Sequence, residues 1–192
     1  MRIASVVVGA LTSAGCIIPW ATPPVRGEIG MTTRVAREAN GADLQAAIGT
    51  HLASASTNER IPVDVGVGYL YDGSAGGSHG GYLDGALYID RFWRARTALG
   101  MRHELRSTPM GNGYAGKLRL DVELVAAVDR PFESEGSCGS SAGHHRGTSG
   151  LGVFVEAGRA WLPGDDAWIA TAGITARLPG TAGVWVGIPG CD

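Results

Sequence analysis

No apolar run in this chain of 192 residues approaches the roughly twenty residues that a membrane-spanning helix requires. Amphipathic helices are also missing. The single helical competitor is 43–55, where Asp43 could cap Leu-Gln-Ala-Ala-Ile, yet the same stretch alternates as Leu44, Ala46, Ile48, Thr50 and Leu52. There is no surplus of basic charge: the formal net charge of -2 argues against general attraction to nucleic acid, and Lys117 is the one lysine. A Gly-x-Ser-x-Gly elbow, a phosphate loop, a CxxC pair and a His-Glu-x-x-His helix are all absent, so catalysis and a bound cofactor are not expected.

What the chain does have is alternation. From Glu28 onward apolar residues recur at period two, interrupted by Gly, Asn, Asp and Pro clusters, which is the pattern of successive antiparallel strands. In 61–71, Val63, Val65, Val67, Tyr69 and Tyr71 share one face, with Asp64, Gly66 and Gly68 on the other. In 116–128, Leu118, Leu120, Val122 and Leu124 oppose Lys117, Arg119, Asp121 and Glu123. Further strands are expected at 28–37, 43–54, 81–92, 94–106, 150–161, 167–177 and 182–188. Turn chemistry separates them, as in Asn40-Gly41, Asp72-Gly73, Gly111-Asn112-Gly113 and Pro163-Gly164.

Mostly short links between consecutive strands predict an all-β fold, an up-and-down antiparallel meander closed into a barrel of eight or nine strands, because closure removes exposed edges. The expected organisation is a signal segment at 1–15, a Pro-rich tether at 16–27 and a single barrel domain at 28–192. The stretch 129–149, rich in Gly and Ser, is expected to be a long irregular loop.

The amino-terminal segment has a short positive n-region at Arg2, an apolar h-region and small residues from Thr12 to Gly15. Ser13-Ala14-Gly15-Cys16 resembles an imperfect bacterial lipobox, with Ser13 where leucine is usual. That resemblance implies export to the cell envelope and lipidation of Cys16. Three cysteines would then leave Cys138 and Cys191 as one possible disulfide, with two unpaired thiols as the alternative.

The face opposite the apolar one combines glycine with charge: Gly66 and Gly68 follow Asp64, Gly100 lies between Arg96 and Arg102 with Glu104 beyond, and Gly152 and Gly158 flank Glu156. Lys117, Arg119, Asp121, Glu123, Arg96, Arg102, Glu104 and Glu156 are therefore candidates for a lumenal charge network in a narrow transmembrane barrel, whose crowded interior favours small residues and paired charges. Tyr69, Tyr71, Trp93, Trp161 and Trp168 fall near strand ends, where interfacial girdles form. In these features 43–188 resembles the small outer-membrane β-barrel proteins of Gram-negative bacteria.

The histidines carry little metal chemistry. His144 and His145, with His79, Glu133 and Glu135, supply ligand types suited to zinc or copper, but adjacent residues of an extended chain point to opposite sides. His103 and Glu104 are separated in the same way. Three functional readings follow. The first is a lipid-anchored envelope protein whose barrel has a structural or binding role; the second is an integral outer-membrane barrel; the third is an envelope enzyme or carrier with a pocket lined by Tyr69, Tyr71, Tyr82 and Tyr88. The membrane is the expected partner, through an anchor or a barrel wall; a protein or small-ligand partner is left undefined, and nucleic acid is not expected.

Overall fold

The computed structural model describes residues 17–36, 40–56, 62–73, 77–92 and 95–187. The period-two alternation becomes ten strands and one short helix. In chain order these are β1 (Ile17–Thr22), β2 (Val25–Ala36), β3 (Asn40–His51), α1 (Leu52–Ala55), β4 (Val63–Asp72), β5 (Ser78–Phe92), β6 (Ala95–Thr108), β7 (Gly111–Gly136), β8 (Gly139–Leu162), β9 (Asp165–Leu178) and β10 (Gly180–Gly187). Strand geometry prevails over helix in 43–55 until Leu52, and only the four residues of α1 coil.

Strands β2 to β9 each pair antiparallel with their sequence neighbours, and β9 returns to β2 in a register running from Val25↔Leu178 to Ala36↔Ala167. The meander thus closes into a barrel of eight strands. The predicted segment at 28–37 is a barrel strand that begins earlier, at Val25, whereas the one at 182–188 forms β10, outside the ring.

Two strands outrun the barrel. The β7–β8 ladder extends from Tyr114↔Trp161 to Gly136↔Gly139, although β6 leaves β7 at Leu124 and β9 leaves β8 at Gly150. Beyond that point β8 pairs with β10, and β10 with β1, giving a four-stranded sheet in the order β7-β8-β10-β1. The expected irregular loop at 129–149 is therefore regular strand with a turn at Ser137-Cys138. A sheet one layer thick encloses no core, so strand formation there does not require apolar alternation.

The expected tether is also strand. Residues 17–22 form β1, an edge strand where Pro19 can be accommodated despite its missing N–H, and β2 begins at Val25. The signal segment and Cys16 lie outside the described residues. One end of the barrel carries α1 and the four-stranded sheet and is called here the α1 end. The opposite end, the turn end, joins strand pairs through links at 37–39, 73–77, 109–110 and 163–164.

Candidate functional site

The barrel is polar inside and apolar outside. Among the described residues, the interior buries the cations Arg26, Arg34, Arg96, Arg102, Arg106, Lys117, Arg119 and Arg177, and the carboxylates Glu28, Asp64, Asp72, Asp84, Glu104, Asp121, Glu123 and Glu156. These two sets are equal in number, so their formal charges cancel. All eight residues singled out for a lumenal network belong to them: Lys117, Arg119, Asp121, Glu123, Arg96, Arg102, Glu104 and Glu156. The strand pleat directs these side chains inward at every second position.

Ion pairs run the length of the lumen. At the turn end Asp72 meets Arg106 at 2.6 Å, and Arg106 meets Glu104 at 2.6 Å. Glu104 contacts Lys117 at 2.8 Å, and Lys117 contacts Glu156 at 2.6 Å. At mid-height Arg102 reaches Glu28 at 2.8 Å and Asp84 at 2.7 Å, with Glu156 at 3.6 Å. Arg119 bridges Glu28 and Asp121, each at 2.8 Å, while Arg26 adds Glu123 at 3.1 Å. Arg177 then joins Glu123 to Asp64, each at 2.8 Å, at the α1 end.

Neutral side chains complete the network. The Lys117 ammonium donates to Gln45 Oε1 at 3.0 Å, and the Gln45 amide donates to Glu156 at 3.1 Å. Arg102 lies over the Tyr82 ring, Arg119 over Phe154 and Arg96 over Tyr88. Charges removed from water need this density of partners, because an isolated buried ion is penalised by several kcal/mol. Sequence reading leaves Arg26, Glu28, Arg34, Asp64, Asp72, Asp84, Arg106 and Arg177 out of the network. The signal was available, since each occupies the charged face of an alternating strand.

Among the described residues the lumen is crowded with side chains. A void of about 10 Å³ beside His51, Asp64, Asp84 and Arg119 has room for a single water. At the α1 end, Asp64 accepts from the Ala53 N–H at 2.9 Å, Arg177 donates to Ser54 at 3.0 Å and Thr148 donates to the Ala53 carbonyl at 3.0 Å, fixing α1 across the opening. Towards the turn end Ala115, Ala160, Leu162 and Ile169 form a buried apolar cluster. Glycines make room within. A Cβ on Gly66 would overlap the His51 ring, and one on Gly158 would lie 2.0 Å from the Gly116 carbonyl oxygen.

The outer wall exposes Ile29, Met31, Ile48, Val65, Val67, Leu83, Leu87, Leu99, Met101, Leu118, Leu120, Val122, Leu151, Val153, Val155 and Ile174. Among the described outward positions of the barrel strands, charge occurs only at the turn end, where Arg159 pairs with Asp166 at 3.0 Å. Tyr69, Tyr71, Trp161 and Trp168 are exposed near that same end, Tyr114 stacks on Trp161 and Tyr114 is hydrogen-bonded to His103. Trp93 lies outside the described residues.

The four-stranded sheet is built differently. Trp20 and Phe132 approach with ring centroids 5.7 Å apart, and Phe132 meets the His145 ring at 4.9 Å. These rings lie above Gly143 and Gly183, while Trp185 covers Gly139 and Gly187. Asp129, Glu133 and Glu135 occupy the opposite face. His144 pairs with Asp129, whereas His145 contacts Thr181 at 2.9 Å, so the adjacent histidines diverge. No group suited to holding a metal ion occurs among the described residues.

Cys138, at the tip of the β7–β8 hairpin, is disulfide-bonded. Cys191 and Cys16 both lie outside the described residues. The four tyrosines do not line one pocket: Tyr69 and Tyr71 point outward, while Tyr82 and Tyr88 point into the lumen, because their strand positions alternate between the two faces. No protein-family model matches the chain, and comparison with curated proteins and with solved structures found no match.

Proposed function

We propose that this protein is an integral outer-membrane β-barrel of a bacterial cell envelope, with a structural or binding role and no catalysis. The observation that carries this reading is the inversion of its faces. A barrel in water gains stability by enclosing apolar surface, at roughly 25 cal/mol per Å², yet here the apolar side chains line the outside and the charges are enclosed. Hydrocarbon is the solvent in which this arrangement is favourable, since closure of the ring pairs the barrel strands on both edges. Strands of about ten residues or more, tilted by about 40°, span the roughly 25 Å apolar band of such barrels. The aromatic rim and the Arg159–Asp166 pair at the turn end suit a membrane–water interface. The density of paired charges in the described lumen favours a wall or platform over a pore.

The test is fractionation of the full-length protein in a Gram-negative host, together with Cys16→Ala and Leu120→Arg. Wild type and Cys16→Ala should both require detergent, resist high salt and carbonate, and show heat-modifiable migration. Leu120, mid-wall on β7, is exposed. Its replacement by Arg should cost about 2–4 kcal/mol at the bilayer midplane. A soluble Cys16→Ala protein carrying no lipid mass, beside a lipidated wild type, would restore the lipid-anchored reading.

A further inference from the structure

We infer that a cleft beside α1, at the mouth of the barrel, binds a small zwitterion with an apolar side group, of the kind an aliphatic α-amino acid presents. The cleft lies outside the lumenal network, and it is present whether the wall meets lipid or water. The β7–β8 register runs unbroken beyond the barrel, so the pleat that turns Asp121 and Glu123 inward carries Asp129 on the same side of β7. Arg146 is its ladder partner on β8, and His144 is the next residue of that face. Beside Arg146, Gly147 lets α1 approach closely: a Cβ there would lie 2.2 Å from the Ser54 carbonyl oxygen. Ala55, which ends α1, borders the cleft with Pro24 and Ala182, while Asp129, His144 and Arg146 supply its charged and polar groups. Its volume of about 600 Å³ is that of a small-molecule site, and barrel mouths are a common place for one.

The charges in this cleft are opposed but not joined. Arg146 stands across the ladder from Asp129, yet among the described residues Arg146 makes no ion pair, and Asp129 turns instead to His144. That contact uses Asp129 Oδ1 and leaves Oδ2 able to accept from a ligand, on a side chain that stays 56% exposed. A simple anion drawn to Arg146 would meet the Asp129 carboxylate, and a simple cation drawn to Asp129 would meet the guanidinium. A molecule bearing both charges satisfies both: its carboxylate accepts from the planar fork of Arg146, and its ammonium donates to Asp129. Pro24, Ala55 and Ala182 offer an apolar wall for its side group.

The test is equilibrium dialysis of the full-length protein in detergent against labelled L-leucine, with isocaproate, which lacks the ammonium, and isopentylamine, which lacks the carboxylate, as competitors. Wild type should bind L-leucine saturably, with each single-charge analogue at least about tenfold weaker. Arg146→Gln should weaken L-leucine by about tenfold or more and abolish its advantage over isopentylamine; Asp129→Asn should abolish its advantage over isocaproate. Glu133→Gln, on the same face but outside the cleft, should change nothing. Retained heat-modifiable migration checks that each variant is folded. Absence of saturable binding to folded wild type at millimolar L-leucine overturns the inference, as does equal binding by wild type, Arg146→Gln and Asp129→Asn. Isocaproate competing as well as L-leucine against wild type would mark a site for simple anions and overturns it too.

Discussion

The β7–β8 hairpin is one continuous ladder, yet its two halves follow different rules. In the barrel half, Lys117, Arg119, Asp121 and Glu123 are buried while Leu118, Leu120, Val122 and Leu124 are exposed. In the sheet half, Asp129, Arg130, Glu133 and Glu135 are exposed, and stability is drawn from rings laid over glycines. Register and hydrogen bonding continue through both. Strict alternation is therefore a consequence of enclosure, not of being a strand. Where a strand separates an enclosed interior from the outside, each second residue is committed; where both faces lie open, neither is.

The largest effect should come from breaking the enclosed half. Arg102 is fully buried between Glu28 and Asp84. Replacing it, as in Arg102→Met, leaves the carboxylates Glu28 and Asp84 without their central cation in a crowded interior. A loss of about 3–5 kcal/mol is expected, the cost of orphaning a buried charge. Unfolding by denaturant in lipid vesicles measures it. Arg130→Met in the exposed half should leave the midpoint unchanged. Equal losses at both positions would show that the two halves are not differently built.

A second comparison sets two glycines against each other. A Cβ at Gly158 would lie 2.0 Å from a backbone oxygen, whereas one at Gly85, on the outer wall, meets nothing within 4 Å. Gly158→Ala should therefore cost about 1–3 kcal/mol through overpacking, with Gly85→Ala near neutral. The same unfolding measurement distinguishes them. If Gly85→Ala proved as damaging, crowding of the lumen would not be the reason for its glycines.

The sequence was legible in proportion to enclosure. Barrel strands such as 61–71 and 116–128 announced themselves because one face is committed to apolar residues and the other to glycine and charge. The sense of that commitment was not legible, since Val63, Val65 and Val67 alternate identically whether they face a core or lipid. The stretch 129–149 looked irregular because Gly-Ser-Ser-Ala-Gly-His-His carries no alternation to read. The prolines of 17–26 suggest a tether, although Pro19 is compatible with an edge strand. Long-range closure of β9 on β2 has no local signature; it followed only from the rule that exposed edges are avoided.

The smallest effect sharpens the comparison from the other side. Phe132 is half-buried on a sheet one layer thick, with Trp20 and His145 as ring neighbours over Gly143 and Gly183. Removing its ring in Phe132→Ala uncovers backbone hydrogen bonds without leaving a charge unpaired or a sealed cavity. The expected outcome is local: faster amide hydrogen exchange in β1, β10 and the distal halves of β7 and β8, with exchange in the barrel unaltered, as for a separate cooperative unit. Heat-modifiable migration should be retained. Faster exchange spreading into Leu118 or Val153 would mean that the ladder transmits disorder across the boundary, and that the sheet is part of what keeps the barrel closed.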